Sequence, residues 1–393
     1  MIIILFDNEA RQTLYPFTET KAVADIRCGI FTAKERWELI SGLPVYIHAP
    51  VYLSGLYENF SSAVVLENDF LFIDASVKDE AALRTQILSL ETGAALYDDV
   101  GLIAGRTISI ISDFSINSTE SFFENISVTD TVKRLQFPWQ IFQWNDEQLR
   151  RDFLLLFSRK QTQLVPGTNQ IIQPESIIID EGASVEHCII NASAGPVYIG
   201  KNVTVMEGSL LRGPIGICEN AVIKMGTKIY GATTIGPFCT VGGEIKNSVL
   251  QSFSNKAHDG YLGDAVIGSW CNLGAGTSNS NVKNSAADVL VDNNNSSGKI
   301  NTGKKCGVLM GDYSRTSINT SINTGSVIGV CCNIFDTGLT PGFIKNFSWG
   351  FSENNIYNID KAIEHINNWQ ALKEHKLSGT EISVLRYIFE NRQ

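Results

Sequence analysis

The stretch IGKNVTVMEGSLLRGPIGICENAVIKMGTKIYGATTIGPFCTV, residues 199–241, carries a bulky aliphatic residue at every sixth position. These residues are Ile199, Val205, Leu211, Ile217, Ile223, Ile229, Ile235 and Val241. Neither a helix of period 3.6 nor an alternating strand produces an interval of six. That interval is typical of a parallel β-helix, in which each hexad forms one flat side and three hexads complete a coil. We therefore predict a hexapeptide-repeat β-helix with these side chains inside.

The six-residue interval continues on both sides of this stretch. It is seen at Ile179 and Val185, at Tyr261, Ile267 and Leu273, and at Met310, Thr316, Ile322, Ile328 and Ile334. Residues 277–306 interrupt it with a polar segment rich in Asn and Ser, which predicts a loop leaving the coil, and loops of that length are usually functional. The alternative, ordinary short strands with chance spacing, is disfavoured by eight consecutive matches.

The chain has 393 residues, too many for one compact core. Before the repeat, strand-like pieces at 1–6, 45–47, 63–66 and 70–73 surround a helical pattern at 30–42, which predicts an α/β layer with a parallel sheet. Further helices are predicted over 145–160, 359–377 and 380–390. We expect three domains: an α/β domain with its connecting helix (1–160), the β-helix (161–350) and C-terminal helices (351–393).

Charge and composition exclude several classes of partner. The net charge of −10, without a basic cluster, argues against nucleic acid. Too few consecutive apolar residues occur for a membrane span, and the N-terminus lacks the basic flank of a signal peptide, so we expect a cytoplasmic protein. The eight cysteines form no CxxC pair and are expected to be buried thiols. The pair Asp98-Asp99 could hold a metal or form a solvated turn, and the metal stays unknown.

The densest polar cluster follows the repeat, from Lys246 to Asp264, and contains His258. The near-neutral pKa typical of histidine suits removal of a proton from an amine or hydroxyl nucleophile. The alternative is a surface histidine bonded to a neighbour. We expect His187 to be structural and assign no role to His48, His365 or His375.

Residues 246–281, KNSVLQSFSNKAHDGYLGDAVIGSWCNLGAGTSNSN, resemble the acetyltransferase half of the bacterial bifunctional UDP-N-acetylglucosamine pyrophosphorylase/glucosamine-1-phosphate N-acetyltransferase family. The shared frame is K…H-x-x-Y-L-G-D-A-x-I-G-x-x-x-N-x-G-A-G-T…N. The resemblance implies that His258 is the catalytic base. It implies that Lys246, Tyr261 and Asn272 bind the sugar phosphate. A family arginine is replaced by Lys228, which keeps the charge but not the bidentate fork.

The same resemblance implies acetyl-CoA as co-substrate. Its contacts would map onto Ala275, Asn281, Asp312 and Gly329. A family tyrosine that follows the asparagine is replaced here by Val282. The β-helix is expected to be left-handed, an exception to the usual crossover rule, and the protein to form a homotrimer with acetyl-transfer sites where subunits meet.

The N-terminal part is similar to nucleotidyltransferases of sugar phosphates, with a Rossmann-like fold expected. Arg11-x-x-Leu14-x-Pro16-x-Thr18-x-x-Lys21 resembles their R-L-x-P-x-T…K pattern, so Arg11 and Lys21 are expected to contact nucleotide phosphates, with Mg²⁺ if the domain is active. The glycine-rich loop that cradles the triphosphate is absent, and Asn8-Glu9-Ala10 stands there instead. Together with Val23–Ile30 (VADIRCGI), this indicates a variant group whose N-terminal domain is degenerate.

Three functions compete. The first is acetyl-CoA-dependent N-acetyl transfer to an amino-sugar 1-phosphate, with or without uridylyl transfer giving UDP-N-acetylglucosamine. The second is uridylyl or thymidylyl transfer to a sugar 1-phosphate, with a β-helix that only trimerises and regulates. The third is a non-catalytic scaffold. The polar cluster with His258, Tyr261 and Asn272 favours the first, because a scaffold needs no such cluster.

Overall fold

The computed structural model describes residues 1–58, 69–108, 122–158, 163, 166–292, 298–352 and 354–392. The chain divides into two compact units. Unit 1 comprises Met1–Leu14, Lys21–Ile26 and Thr32–Gln136, and unit 2 comprises Tyr15–Thr20, Arg27–Phe31 and Phe137–Gln393. The expected domain boundaries at 160 and 350 stay predictions. The strand expected at 63–66 and the last residues of the helix expected to reach 160 lie outside the described residues.

Unit 1 contains a mixed sheet with short helices. Its strands are β1 (Ile2–Phe6), β2 (Val45–His48), β3 (Phe70–Asp74), β4 (Ala94–Tyr97), β5 (Leu102–Thr107) and β6 (Asn125–Val128), in the order β2-β1-β3-β5-β4-β6. Its helices are α1 (Ala33–Ser41), α2 (Val51–Ser54) and α3 (Ala81–Leu88), with 3₁₀ turns Glu9–Leu14 and Val23–Asp25. Strands β1, β2 and β3 are parallel, as expected, and β5 is antiparallel to both of its neighbours.

Helix α1 begins and ends where its sequence dictates. The Thr32 side chain accepts a hydrogen bond from the Glu35 N–H, and the Glu35 carboxylate accepts one from the Thr32 N–H, which satisfies two otherwise unpaired donors. Gly42 ends the helix with φ at 67°, a left-handed conformation that glycine adopts without a Cβ clash. The helix expected over 30–42 is therefore confirmed, with slightly narrower bounds.

Unit 2 is built on a three-faced parallel β-helix, whose faces we call A, B and C. Face A has six strands: Gln170–Ile172, Ile189–Asn191, Leu210–Arg212, Lys228–Tyr230, Glu244–Lys246 and Tyr261–Gly263. Face B has nine: Ile177–Ile179, Val197–Ile199, Ile215–Ile217, Thr233–Ile235, Val249–Leu250, Val266–Ile267, Leu309–Met310, Val327–Ile328 and Phe343–Ile344. Face C has eight: Ser184–Val185, Thr204–Val205, Val222–Ile223, Thr240–Val241, Asn255–Lys256, Asn272–Leu273, Arg315–Thr316 and Asn333–Ile334.

The interior of the coil is the aliphatic column predicted from the repeat. All eight hexad residues from Ile199 to Val241 are at most 3% exposed and belong to one core cluster. The prediction for Tyr261 is wrong: this residue points outward, and Leu262 occupies the interior at 1% exposure. The cause is two short corners, because Ile245 follows the interior residue Val241 by four positions and Leu250 follows Ile245 by five, where the repeat has six.

Helix α4 (Gln140–Gln143) and helix α5 (Asn145–Phe157) precede the coil, and α5 packs on face B. Leu149 fills the space over Gly216, where an added Cβ would lie 2.9 Å from the leucine. The Asn145 amide donates to the carbonyl oxygen of Ala232 at 2.9 Å and accepts from the Gly29 N–H at 2.7 Å. These contacts attach α5 to the coil, as a connecting helix requires.

The polar segment 277–306 leaves the coil, as expected. Ser278–Asn279 pairs with Ser321–Ile322 across the excursion, within which Leu290–Asp292 and Lys299–Asn301 form an antiparallel pair. A short 3₁₀ turn, Pro174–Ser176, lies near the start of the coil. Helices α6 (Ile359–Ala371) and α7 (Gly379–Glu390) end the chain. The expected fold class, an α/β domain followed by a left-handed parallel β-helix and a helical tail, is confirmed.

Seven of the eight cysteines are buried, Cys28 is partly buried, and all are free thiols. Among the helices that the structure describes, none has the length and apolar character needed to cross a bilayer.

Candidate active site

His258 lies on the edge of the coil where face C turns into face A. It follows the face C strand Asn255–Lys256 and precedes the face A strand Tyr261–Gly263. The side chain is exposed, and its imidazole has no hydrogen-bond partner within the described ranges. The next corner along the coil, 274–277, stacks directly on this one, because the Gly276 N–H donates to the Asp259 carbonyl oxygen at 3.0 Å. Ala275 therefore lies one coil from His258.

Lys256, two residues before His258, lies inside the coil at a position that sequence reasoning missed. Its Nζ donates to the carbonyl oxygens of Gly242 at 3.0 Å and of His258 at 2.5 Å. The residue is 2% exposed, and burial lowers the pKa of Lys256 to about 8, against a smaller opposing effect of Asp259. Lys256 stands six residues before Leu262, whereas the six-residue interval counted back from Tyr261 falls on Asn255, so the repeat did not predict an interior lysine.

Face A gathers the expected sugar-phosphate residues Lys228, Lys246 and Tyr261. Lys228 and Tyr261 both pair in register with Glu244, one from each side. The ammonium of Lys246 lies 5.7 Å from the ring centroid of Tyr230, within cation–π distance. Glu244 and Tyr230 lie between these lysines in the sequence and were not among the predicted site residues.

Glu244 sets part of the charge on face A. Its carboxylate accepts a hydrogen bond from the Tyr230 hydroxyl at 2.6 Å, and this bond is the main cause that raises the pKa of Tyr230 to about 12. This hydrogen bond from the Tyr230 hydroxyl restricts rotation of the Glu244 carboxylate and holds it beside the Tyr230 ring. The two lysines thus present positive charge around one anchored carboxylate.

Tyr261 folds across its neighbour Gly263. A Cβ added to Gly263 would lie 2.2 Å from the tyrosine oxygen, so this place requires glycine. The Asn281 amide donates to the Tyr261 hydroxyl at 3.2 Å and to the Asp264 carboxylate at 2.5 Å. Burial, followed by the charges of Asp264 and Glu244, raises the pKa of Tyr261. Tyr261 and Asn281 therefore lie together on face A.

Asn272 lies on face C, in register with Asn255 on one side and Arg315 on the other. Asn272 is three residues before Ala275, so it lies next to the edge of His258 on the face C side, whereas Tyr261 lies on the face A side. The chain brings His258, Ala275, Tyr261 and Asn281 to one edge of the coil and the face beside it, and Asn272 to the other adjoining face.

Asp312 and Gly329 lie at a different edge, where face B turns into face C. Asp312 is 2% exposed, and its carboxylate accepts from the Ser269 N–H at 2.7 Å and from the Thr20 hydroxyl at 2.7 Å. A Cβ added to Gly329 would lie 2.5 Å from the Tyr15 hydroxyl oxygen. Within the chain these two residues are thus separated from the edge of His258, and their contact with acetyl-CoA stays a prediction.

In unit 1, Arg11 is engaged inside the domain. Its Nε lies 3.1 Å from the Asp7 carboxylate, and its Nη2 lies 3.2 Å from the Tyr52 hydroxyl oxygen. Burial raises the pKa of Asp7 to about 6, with Arg11 opposing that rise. Asp7 and Asp74 lie at the carboxyl ends of the parallel strands β1 and β3, which is where open α/β sheets bind ligands. Lys21 is partly buried.

Arg134 neutralises the other carboxylates of this region. It contacts Asp74 at 2.8 Å and Asp98 at 2.5 Å, and all three side chains are at most 1% exposed. Burial opposes ionisation of Asp98, but hydrogen bonds from Arg134 and Val132 outweigh it and hold its pKa below the ordinary value. Asp98 is therefore a buried ion-pair partner, whereas Asp99 is exposed, so the solvated turn considered for the pair applies only to Asp99.

These carboxylates do not fit an Mg²⁺ site as they stand, because arginines already occupy them. No group of three or more His, Cys, Asp or Glu side chains that could hold a metal occurs in the part of the chain that the structure describes. The Mg²⁺ expected for an active N-terminal domain therefore enters none of the steps below.

The two units define a chain that joins an α/β domain to a hexapeptide-repeat β-helix with a histidine at one edge. Residues 3–161 match the model of a family described as sugar nucleotidyl transferase. The N-terminal part of the chain is thus an α/β domain of the nucleotidyltransferase type, as predicted from its sequence.

The chain is also similar to proteins named bifunctional protein GlmU. The one from Cyanothece sp. is 30% identical over 156 residues, 34% of each chain. Those from Heliobacterium modesticaldum and Clostridium kluyveri are 34% and 32% identical, over 30% and 41% of this chain and 26% and 35% of theirs. The chain thus matches about a third or less of the length of these relatives. The expected family resemblance is confirmed at this partial coverage.

Proposed function

We propose that the β-helix transfers an acetyl group from acetyl-CoA to the amine of an amino-sugar 1-phosphate, glucosamine 1-phosphate in the first instance. One observation carries this proposal: the unpartnered imidazole of His258 stands at the edge of the coil beside the face that holds Lys228, Lys246 and Tyr261. A base and two cations around one edge are what amine acylation of a phosphorylated sugar requires. The family resemblance at the same residues supports this reaction.

In the proposed reaction, the neutral amine attacks the thioester carbonyl carbon, a C–N bond forms and the C–S bond breaks. His258 accepts the proton that the amine loses, and the coenzyme leaves as its thiol after gaining a proton. A positioned base of this kind contributes typically about 10²–10⁴-fold to the rate. Lys246 and Lys228 hold the phosphate, while Tyr261 and Asn272 orient the sugar. The small residue Ala275 leaves room for the thioester beside His258.

We further propose that the active assembly is a homotrimer, in which a neighbouring subunit brings its own Asp312 and Gly329 towards the edge of His258. This follows from the family resemblance and accounts for the separation of these residues within one chain. Light scattering of the purified protein is expected to give the mass of three chains. A monomer mass would contradict the assembly. The cytoplasm stays the expected compartment.

His258→Ala tests the acetyl-transfer proposal, with His187→Ala as matched control. His187 is also an exposed histidine at a turn from face C to face A, earlier in the coil. We expect His258→Ala to lower kcat for glucosamine 1-phosphate by at least about 10²-fold and His187→Ala to leave it unchanged. Both variants should keep their thermal stability, because both side chains are exposed. If His258→Ala acetylates at the wild-type rate, the base assignment fails.

The match of residues 3–161 favours a second function, uridylyl or thymidylyl transfer by unit 1. Against it, Arg11 is already paired with Asp7, and the acids at the sheet edge are paired with Arg134. Nucleotide binding by the full chain tests this directly, with UTP and dTTP compared in a thermal-shift titration. Arg11→Ala should abolish the shift if Arg11 contacts phosphate. If nucleotide raises the Tm of Arg11→Ala as much as that of the wild type, Arg11 does not contact the phosphates, and Lys21 stays the predicted contact.

A further inference from the structure

A cavity of about 400 Å³ lies in unit 2 between face C and helix α6. It is lined by Asn272, Arg315, Thr316, Ser317, Asn333, Phe335, Tyr357, His365, Asn368 and Trp369. A second cavity, of about 660 Å³, shares Tyr357 and His365 with the first. Volumes of this order suit small-molecule ligands.

The guanidinium of Arg315 is the charged group of this cavity. Arg315 is 8% exposed, and its Nε and Nη2 are buried without a hydrogen-bond partner in the described structure. These two atoms form one edge of the guanidinium, the edge that binds a carboxylate or phosphate through two parallel hydrogen bonds. Leaving buried charged donors unpaired is costly, so the arrangement favours an anion at that edge.

The surroundings of Arg315 are polar and hold no negative charge that would neutralise it. None of the ten lining residues is acidic. Asn272 and Asn333 flank Arg315 in register on face C, which places an amide on each side of the guanidinium at the spacing of neighbouring strands. Burial lowers the pKa of Arg315, and its opposing influences are a tyrosine and two cysteines, with no carboxylate among them.

The remaining walls are aromatic and hold Arg315 in place. The guanidinium carbon lies 5.7 Å from the ring centroid of Trp369, and the Tyr357 hydroxyl contacts His365 Nδ1 at 2.5 Å. Trp369 and His365 belong to helix α6, so this helix closes the cavity over face C. Glu364 and Lys361 line the adjoining cavity but not this one, and their charges are of opposite sign.

We propose that this cavity is a binding site for the oxyanion of a small metabolite, a phosphate or carboxylate group held by the Nε and Nη2 of Arg315 and by the amides of Asn272 and Asn333. The site goes beyond the proposed acetyl transfer. It shares Asn272 with that reaction, but Arg315 and the residues of helix α6 take no part in it. The aromatic walls would contact the body of the metabolite.

The test is a thermal-shift titration of the full chain with inorganic phosphate and, separately, with succinate, against chloride at equal ionic strength. A ligand that binds the folded state raises Tm with concentration. We expect at least one of the two anions to do so, and the one that does identifies the group. Arg315→Gln should weaken that binding by about tenfold or more, because a charge-assisted bidentate contact is lost. Arg212→Gln, an exposed arginine on face A, should bind as the wild type.

Asn333→Asp decides the case even if Arg315→Gln does not fold. The new carboxylate would pair with Arg315 and take the place of the ligand. We expect a higher Tm without added anion and no further rise on adding phosphate or succinate. The proposal is overturned if neither anion stabilises the wild type, or if Asn333→Asp responds to them as the wild type does. Acetyl transfer is not the readout, so the two proposals fail separately.

Discussion

The buried ammonium of Lys256 donates a hydrogen bond to the carbonyl oxygen of His258 at 2.5 Å, from inside the coil to its edge. Lys256 stands in register with Val241, where the interior is otherwise aliphatic. A buried lysine is expensive unless its donors are satisfied, and here two backbone carbonyls accept from it. Lys256 therefore connects the core of the β-helix to the backbone of the proposed base.

Lys256→Met is expected to reduce acetyl transfer by disturbing the position of His258. Methionine keeps the apolar stem and volume but donates nothing to the His258 carbonyl. We expect kcat to fall by about 10- to 100-fold with little change in KM. Lys201→Met, at an exposed lysine of the same coil, is the control. Unchanged kcat in Lys256→Met would show that the contact has no positioning role.

The pH dependence of stability should also report on Lys256. Because burial lowers its pKa from 10.5 to about 8, the unfolded chain binds more protons than the folded one between these pH values. The free energy of unfolding of the wild type should therefore rise with pH across this window, by about 3 kcal/mol relative to Lys256→Met. Urea denaturation of both proteins at pH 8 and pH 10.5 measures it. If the free energy of unfolding changes equally with pH in both proteins, the pKa of Lys256 is not lowered by burial.

Lys246→Gln is expected to weaken binding of the sugar phosphate. Its ammonium lies over the Tyr230 ring on face A. The substitution removes the charge and leaves a polar side chain that is one atom shorter. We expect KM for glucosamine 1-phosphate to rise about tenfold or more while KM for acetyl-CoA stays the same. Steady-state kinetics with each substrate varied in turn distinguishes these effects. Lys201→Gln serves as the exposed control, and equal KM values in the two variants would remove Lys246 from the site.

Arg134→Met is expected to destabilise unit 1 strongly. The substitution leaves Asp74 and Asp98 buried without their shared cation, at a cost of about 3 kcal/mol or more. Arg106→Met is the matched comparison, because its partner Asp69 is only partly buried, and about 1 kcal/mol or less is expected there. Chemical denaturation gives both values. A loss at Arg134 no larger than at Arg106 would contradict the importance of the buried network.

The β-helix could be predicted from the sequence because its signal is local and repeated. Each interior residue from Ile199 to Val241 stands six positions from the next, so the pattern needs no knowledge of distant contacts. The prediction failed at Tyr261, which follows two corners that are shorter than the repeat. A deletion of one residue in a corner shifts which side chain faces inward, and periodicity alone does not locate that deletion.

Other parts of the site depend on contacts that the sequence does not display. Lysine is rarely buried, so Lys256 was not expected to lie inside the coil. Arg315 is covered by a helix that begins more than forty residues later, at Ile359. The pairing of Arg134 with Asp74 and Asp98 joins three separate segments of unit 1. In each case a charged residue is buried by chain that is distant in sequence.

Corresponding corners along the edge shared by faces C and A are spaced regularly, one for each turn of the coil. His187 and His258 stand on it four turns apart, which at the spacing of neighbouring strands is about 19 Å. Successive strands such as Leu210–Arg212 and Lys228–Tyr230 repeat after 18 residues, and each strand pairs only with the strands of the adjacent turns. Removing one whole turn between the two histidines would therefore bring them closer by the spacing of one turn, about 4.8 Å. The corner around His258 would keep its neighbours, so the rod can change length while its chemistry stays in place.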